Sequence, residues 1–288
     1  MEKEIVMALA EELLIACEVR QQMAVVMDKL PWDIMSPLSE QLTDSNHAEE
    51  AWQKLVQYSA PFEGDSGMGQ LTVFLAAACH TRNKYKELGI SDSIFLDTMG
   101  CFKRFLEETK EITGNWIFDR GFWVWRQTSC LLFRLGTLEF EYWKAEGILP
   151  DEIKENDMAI SVHIPSDAVL TEEKLAESYE AMRTFWTAHE NQLCPMGKPK
   201  IVFCSTWLLS PELQKLLPEN SGIRRFASEY RIYHQNLENK GFYRWLFNGR
   251  KELDTLPENT SLQRAVKKHL TAGGKIGIAS GVWEQKYK

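Results

Sequence analysis

The 288-residue sequence has no C-x-x-C pair, and its six cysteines, at 17, 79, 101, 130, 194 and 204, stand far apart. No histidine lies at ligand spacing from them, so no metal site is expected. The 33 Lys and Arg form no basic block against 41 Asp and Glu, and the net charge of −8 argues against nucleic acid as a partner, because such binding rests on clustered cations. No uninterrupted apolar run approaches the roughly 20 residues of a membrane helix, so no membrane partner is expected. The opening MEKEIVMALAEELLIACEVRQQM lacks the basic segment and cleavage site of a secretory signal. The expected location is therefore the cytoplasm, with reduced cysteines. Internal repeats and low-complexity linkers are also missing.

What is present is a globular composition, 44% apolar with ten Trp and fourteen Phe. At this length two domains are the ordinary expectation. The first stretch is written in helical period. Ile5, Leu9, Leu13, Ala16, Met23, Val26 and Leu30 approximate one face before LPWD stops the run. Ser45 or Asn46 caps the next predicted helix, 69–88 reads as a buried one, and Ser91 opens another over 91–112 with Leu96, Met99, Phe102 and Leu106 inward. From GNWIFDRGFWVWRQTSC onward, aromatic and β-branched residues in short alternating runs signal strands. In CLLFRLGTLEFEYW (130–143) the alternation reverses at Gly136-Thr137, a two-residue hairpin turn.

Next, AISVHIP places Ile160, Val162 and Ile164 on one face and Ser161 and His163 on the other. Thr171 caps a helix with Leu175, Tyr179, Met182 and Trp186 along one side. KIVFCSTWLLSP (200–211) puts Ile201, Phe203, Ser205 and Trp207 on one strand face and Val202, Cys204, Thr206 and Leu208 on the other, and Pro211 opens a short helix. A strand in FASEYRIYHQN, a capped helix in NTSLQRAVKKHLTAG ending at Gly273, and a last strand in KIGIA follow. GGKIGIASG lacks the spacing of a phosphate loop and reads as a helix cap and bulged strand. The fold class is α+β, a helical N-terminal domain over 1–112 and a mixed-sheet domain with flanking helices over 113–288.

That order of elements resembles the second half of a GNAT-type N-acyltransferase. The segments FRLGTLEFEY, VHIPSDAVLTEEKLAESY and FCSTWLLSPELQKLLPENSGIRRF are similar to bacterial acyltransferase-like proteins that join a helical N-terminal domain to a GNAT-like C-terminal domain. The resemblance covers 113–288 best. It implies a sheet whose central strands splay to admit the pantetheine arm of acyl-coenzyme A, the co-substrate. It also implies a small-molecule acceptor, an amine first, whose pocket the helical domain partly covers. Typical GNAT enzymes cradle the coenzyme A pyrophosphate with R/Q-x-x-G-x-G/A at a helix start. Here the matching loop, PSDAVLTEEK, has no glycine and carries Glu172 and Glu173, which repel phosphate unless turned away.

Several residues are singled out, each with a plainer reading beside it. Cys204 shares its strand face with Val202 and Leu208 and reads as inert core. Implied by the resemblance, Ser205 hydrogen-bonds a pantetheine amide and Trp207 walls the acyl channel; the alternatives are a locally bonded hydroxyl and a core aromatic. Ser166 and Asp167 bind a carbonyl or hydroxyl, or simply make a turn. His163 is the candidate base that takes the amine proton, with Glu139 or Glu141 on the preceding strand orienting it or acting through water. The alternative is the solvated polar face of a sheet edge. Tyr230 and Tyr233 are candidate donors to the leaving thiolate, as a tyrosine is in many GNAT enzymes, or ordinary core or surface residues. Two functions stand: an acyltransferase, or a non-catalytic GNAT-like module that binds a metabolite or protein partner, which the glycine-free loop favours. Oligomeric state is not legible.

Overall fold

A computed structural model describes residues 3–284; Met1 and Glu2, which begin the predicted first helix, and 285–288 lie outside them. The chain divides into two compact units, Met1–Leu135 and Gly136–Lys288. The first is built from helices α1 (Lys3–Glu12), α2 (Cys17–Met27), α3 (Trp32–Gln41), α4 (Ala48–Glu63), α5 (Met68–Glu87), α6 (Asp92–Met99), α7 (Cys101–Thr113) and α8 (Gly121–Thr128), and ends in strand β1 (Leu132–Leu135). α5 is its axis, with Leu71, Val73, Phe74, Leu75 and Ala76–Ala78 all buried, which is what a helix apolar on every side requires. Ser91 accepts from the Ile94 N–H as the predicted cap of α6.

Four expectations in this unit give way to local chemistry. The single helical run over 5–30 is two helices, because Leu14 between them adopts φ +56°. The 91–112 helix breaks at Gly100, and His47, with no side-chain cap, precedes α4 in place of Ser45 or Asn46. The aromatic stretch after 113 holds helix α8, not a strand. Val124, Trp125 and Thr128 bury at helical spacing there, so packing overrides the β propensity of Phe122, Trp123 and Val124. The helical part therefore runs on past residue 112.

The second unit comprises β2 (Leu138–Lys144), β3 (Met158–His163), α9 (Glu172–Leu193), β4 (Val202–Thr206), α10 (Pro211–Gln214), α11 (Gly222–Ala227), β5 (Tyr230–Asn236), α12 (Phe242–Leu246), α13 (Ser261–Thr271) and β6 (Ile278–Trp283). Its strands lie in the order β2-β3-β4-β6-β5. β3 and β4 are parallel, and the other pairs antiparallel. The turn before β2 uses Gly136 at φ +69°, where a Cβ would sit 2.5 Å from Ser178 Oγ; that hydroxyl accepts from the Thr137 N–H at 2.7 Å and ties the turn to α9. Thr171 caps α9 as predicted, accepting from the Lys174 N–H. α9 lies on one sheet face, where Tyr179 stacks on Trp283 at 4.3 Å between centroids and meets Phe140 edge-on.

Candidate active site

The opposite sheet face is built by strict alternation. In register, Glu139 pairs with His163 and Glu141 with Ser161 across β2 and β3, Ser161 with Phe203 across β3 and β4, and Ser205 with Ser280 across β4 and β6. These side chains therefore share the face turned away from α9. At the start of β3 the face is apolar: Trp143 packs on Phe203 at 4.7 Å, with Ala159 and, from the connection between β2 and β3, Ala145 and Ile153. Toward the C-terminal ends of β3 and β4 it turns polar.

The polar end is not a solvated edge. β3 is an interior strand, and Glu139, Glu141 and Ser161 are 3%, 7% and 7% exposed. His163 Nε2 lies 2.7 Å from Glu141 Oε2, so the imidazole takes its partner diagonally, two residues along β2 from the opposed Glu139. With Glu141 ionised, Nε2 carries the proton and Nδ1 is the basic nitrogen of the neutral ring. The pair thus has the arrangement of an oriented base.

Beside it the sheet opens. β3 and β4 pair only at Ile160 with Val202 and Ser161 with Phe203; β3 then continues to His163 along β2, and β4 to Thr206 along β6. The Ile160 N–H donates to the Ile201 carbonyl at 2.9 Å, which identifies the residues whose backbone faces the junction. By period-two alternation, Val162 on β3 and Ser205 on β4 turn their N–H and C=O groups into the opening. Past Ser161 and Phe203 the β3–β4 register does not continue.

Ser205 is exposed, and its Oγ lies 2.9 Å from Ser280 Oγ on β6. The Tyr233 phenol also lies near Ser280. Tyr233 reaches it through a register shift between Ile232 and His234, where β5 carries one residue more than β6. Half-burial pushes the Tyr233 phenol's pKa up, so the hydroxyl stays protonated and able to donate. Nothing in FASEYRIYHQN signals this bulge, and while Tyr233 is a candidate alongside Tyr230, Ser280 is not separable by sequence from its neighbours.

The other predicted residues divide. Trp207 leaves the face: the strand stops at Thr206, whose Oγ1 accepts from the Leu208 N–H, and Trp207 enters a 3₁₀ turn and packs against the cluster of Leu213, Phe242 and Phe247. A local side-chain acceptor ends the extended backbone there, so Trp207 does not line the opening from β4. Ser166 is exposed on the turn closed by the Ala168 N–H and Pro165 carbonyl, just past the end of β3. Cys204 is fully buried on the α9 face, where burial pushes its thiol pKa far up; it is core and not a nucleophile. Tyr230 is buried with its hydroxyl 2.7 Å from that of Tyr179. Among the described residues no cluster of His, Cys, Asp and Glu could hold a metal ion, and no helix is long and apolar enough to cross a membrane.

The family profile for the GNAT-like C-terminal domain matches residues 132–283. The chain belongs to this family. Residues 6–130 match the N-acyltransferase N-terminal domain, so the helical part and the GNAT-like part both have family counterparts. Among curated proteins nothing matches. Three solved structures share the fold. An acyltransferase in complex with decanoyl-CoA and teicoplanin has a TM-score of 0.76 and 20% identity over 96% of this chain and 86% of that one. A mutant acyltransferase in complex with octanoyl-CoA has a TM-score of 0.79 and 21% identity over 98% and 88%. An acyltransferase in complex with CoA and 10C-teicoplanin has a TM-score of 0.67 and 19% identity over 99% of both chains. At these identities the likeness establishes the two-part fold of a GNAT-like protein.

Proposed function

We propose that this GNAT-like protein transfers an acyl group from acyl-coenzyme A to the amine of a small acceptor, with the pantetheine arm in the wedge between β3 and β4. The observation that carries the reading is the two-pair β3–β4 ladder with an oriented histidine at its edge. The backbone groups of Val162 and Ser205 would pair with pantetheine amides as a strand would. Binding of acyl-CoA thioesters by the structural relatives named above supports the same donor. The acceptor nitrogen attacks the thioester carbonyl; His163 Nδ1 takes the proton that nitrogen loses, and Glu141 stabilises the imidazolium formed. As the C–S bond breaks, the thiolate takes a proton from the hydroxyl chain of Tyr233, Ser280 and Ser205. The thioester is already activated, so positioning and proton removal suffice.

Calorimetry with acetyl-, octanoyl-, decanoyl- and free coenzyme A tests this. Saturable binding is expected, with product formation when an amine is added. A second reading, a non-catalytic module, is favoured by the loop 164–171, which has no glycine and leads to Glu172 and Glu173 in the first turn of α9. It takes over if no coenzyme A compound binds while other metabolites raise the melting temperature.

A further inference from the structure

The glycine-free loop leaves open where the phosphates of the donor are held, and the geometry points to α11. The wedge opens toward the C-terminal ends of β3 and β4. From β3 the chain leaves through the loop 164–171; from β4 it leaves through the 3₁₀ turn at Trp207–Leu209 and then α10. α11 touches both α9 and that turn, and so joins the two elements that flank the mouth. Its backbone comes close to the loop: a Cβ on Gly222 would lie 2.9 Å from the Leu170 carbonyl oxygen.

α11 carries two adjacent arginines. The Arg225 guanidinium donates to the Leu170 carbonyl at 3.3 Å, on the β3 side of the mouth. The Arg224 guanidinium donates to the Leu217 carbonyl at 3.3 Å, on the segment that leaves β4, and is exposed. Among the described residues neither forms an ion pair with a carboxylate, although acids outnumber bases in the chain by 41 to 33. Each guanidinium has five donors in a planar fork, and one carbonyl uses a small part of that capacity. Two forks with donors to spare, one beside each of the segments that follow β3 and β4, are suited to a pyrophosphate.

We propose that Arg224 and Arg225 bind the phosphate groups of the donor and replace the glycine loop as the anion site. The assignment rests on the acyl-coenzyme A reading above and adds the residues that discriminate a nucleotide-bearing donor from a bare pantetheine thioester. Glu172 and Glu173, exposed at the start of α9, then act against phosphate on the loop side and favour the α11 side.

The test compares wild type, Arg224→Gln and the double variant Arg224→Gln/Arg225→Gln. Affinity is measured for coenzyme A and for pantetheine, and turnover for an acyl-N-acetylcysteamine thioester. Wild type is expected to prefer coenzyme A, with affinity falling as salt is raised. The double variant is expected to lose about 10–10²-fold in coenzyme A affinity and most of the salt dependence, while turnover of the phosphate-free thioester is kept. Exposed Arg224 can be changed without disturbing the loop, so a smaller loss in Arg224→Gln alone supports the assignment even if the double variant is unstable. Unchanged coenzyme A affinity in folded variants, against a wild type that prefers coenzyme A, overturns it while leaving the parent reading intact. Failure of wild type to bind either compound overturns the parent reading, and this one with it.

Discussion

The two faces of the second unit's sheet come from the same strands and differ in what they do with burial. On the α9 face, Phe140 and Trp283 pack against Tyr179, Val162 and Cys204 are buried, and the hydroxyls of Tyr179 and Tyr230 bond each other. On the other face, Glu139, Glu141 and Ser161 are buried almost as deeply, yet they sit where the β3–β4 pairing ends. Burial of apolar groups stabilises; burial of a carboxylate costs unless it is matched, and here Glu141 is matched by His163. One face holds the fold and the other holds poised polar groups.

The sharpest way to break this contrast is His163→Ala. Turnover is expected to fall by roughly 10²–10⁴-fold with little change in coenzyme A affinity. Near-wild-type turnover would return His163 to the role of an ordinary polar residue. Tyr233→Phe comes next, with an expected loss of roughly 10–10²-fold, smaller because a thiolate leaves readily. The sign of its pH effect follows from burial, which disfavours the phenolate and raises its pKa. The hydroxyl therefore stays protonated past the ordinary tyrosine range, wild-type turnover should hold there, and only the variant should lack the alkaline fall beyond it. Rate assays to high pH decide this.

Across the sheet the same chemical deletion should read out as stability. Tyr179→Phe leaves the buried Tyr230 hydroxyl without its partner and is expected to cost about 1–3 kcal/mol in denaturant unfolding, with turnover per folded molecule unchanged. A loss of turnover without a loss of stability would dissolve the distinction between the faces. The smallest effect belongs to Cys204→Ala, about 1–2 kcal/mol of stability and no turnover, since a fully buried thiol held neutral contributes packing alone. A folded Cys204→Ala protein without activity would make Cys204 a participant.

Much of this was legible along the chain because the signals are local. Alternation in AISVHIP separates His163 from Ile160 and Val162, Thr171 caps α9, Gly136-Thr137 turns before β2, and the lone thiol of Cys204 falls on an apolar face. Period and cap chemistry depend on a few neighbouring residues, so sequence alone determines them. What required tertiary structure is non-local. Whether His163 meets Glu139 or Glu141 depends on side-chain reach across β2 and β3, and where the β3–β4 ladder stops depends on each strand following a different neighbour. The bulge that aims Tyr233 at Ser280, and the docking of α11 against the Leu170 loop, join residues 47 and 55 apart in the chain. No periodicity encodes such contacts. They are decided by which strands pair and where pairing ends, a competition settled only when the whole sheet has formed.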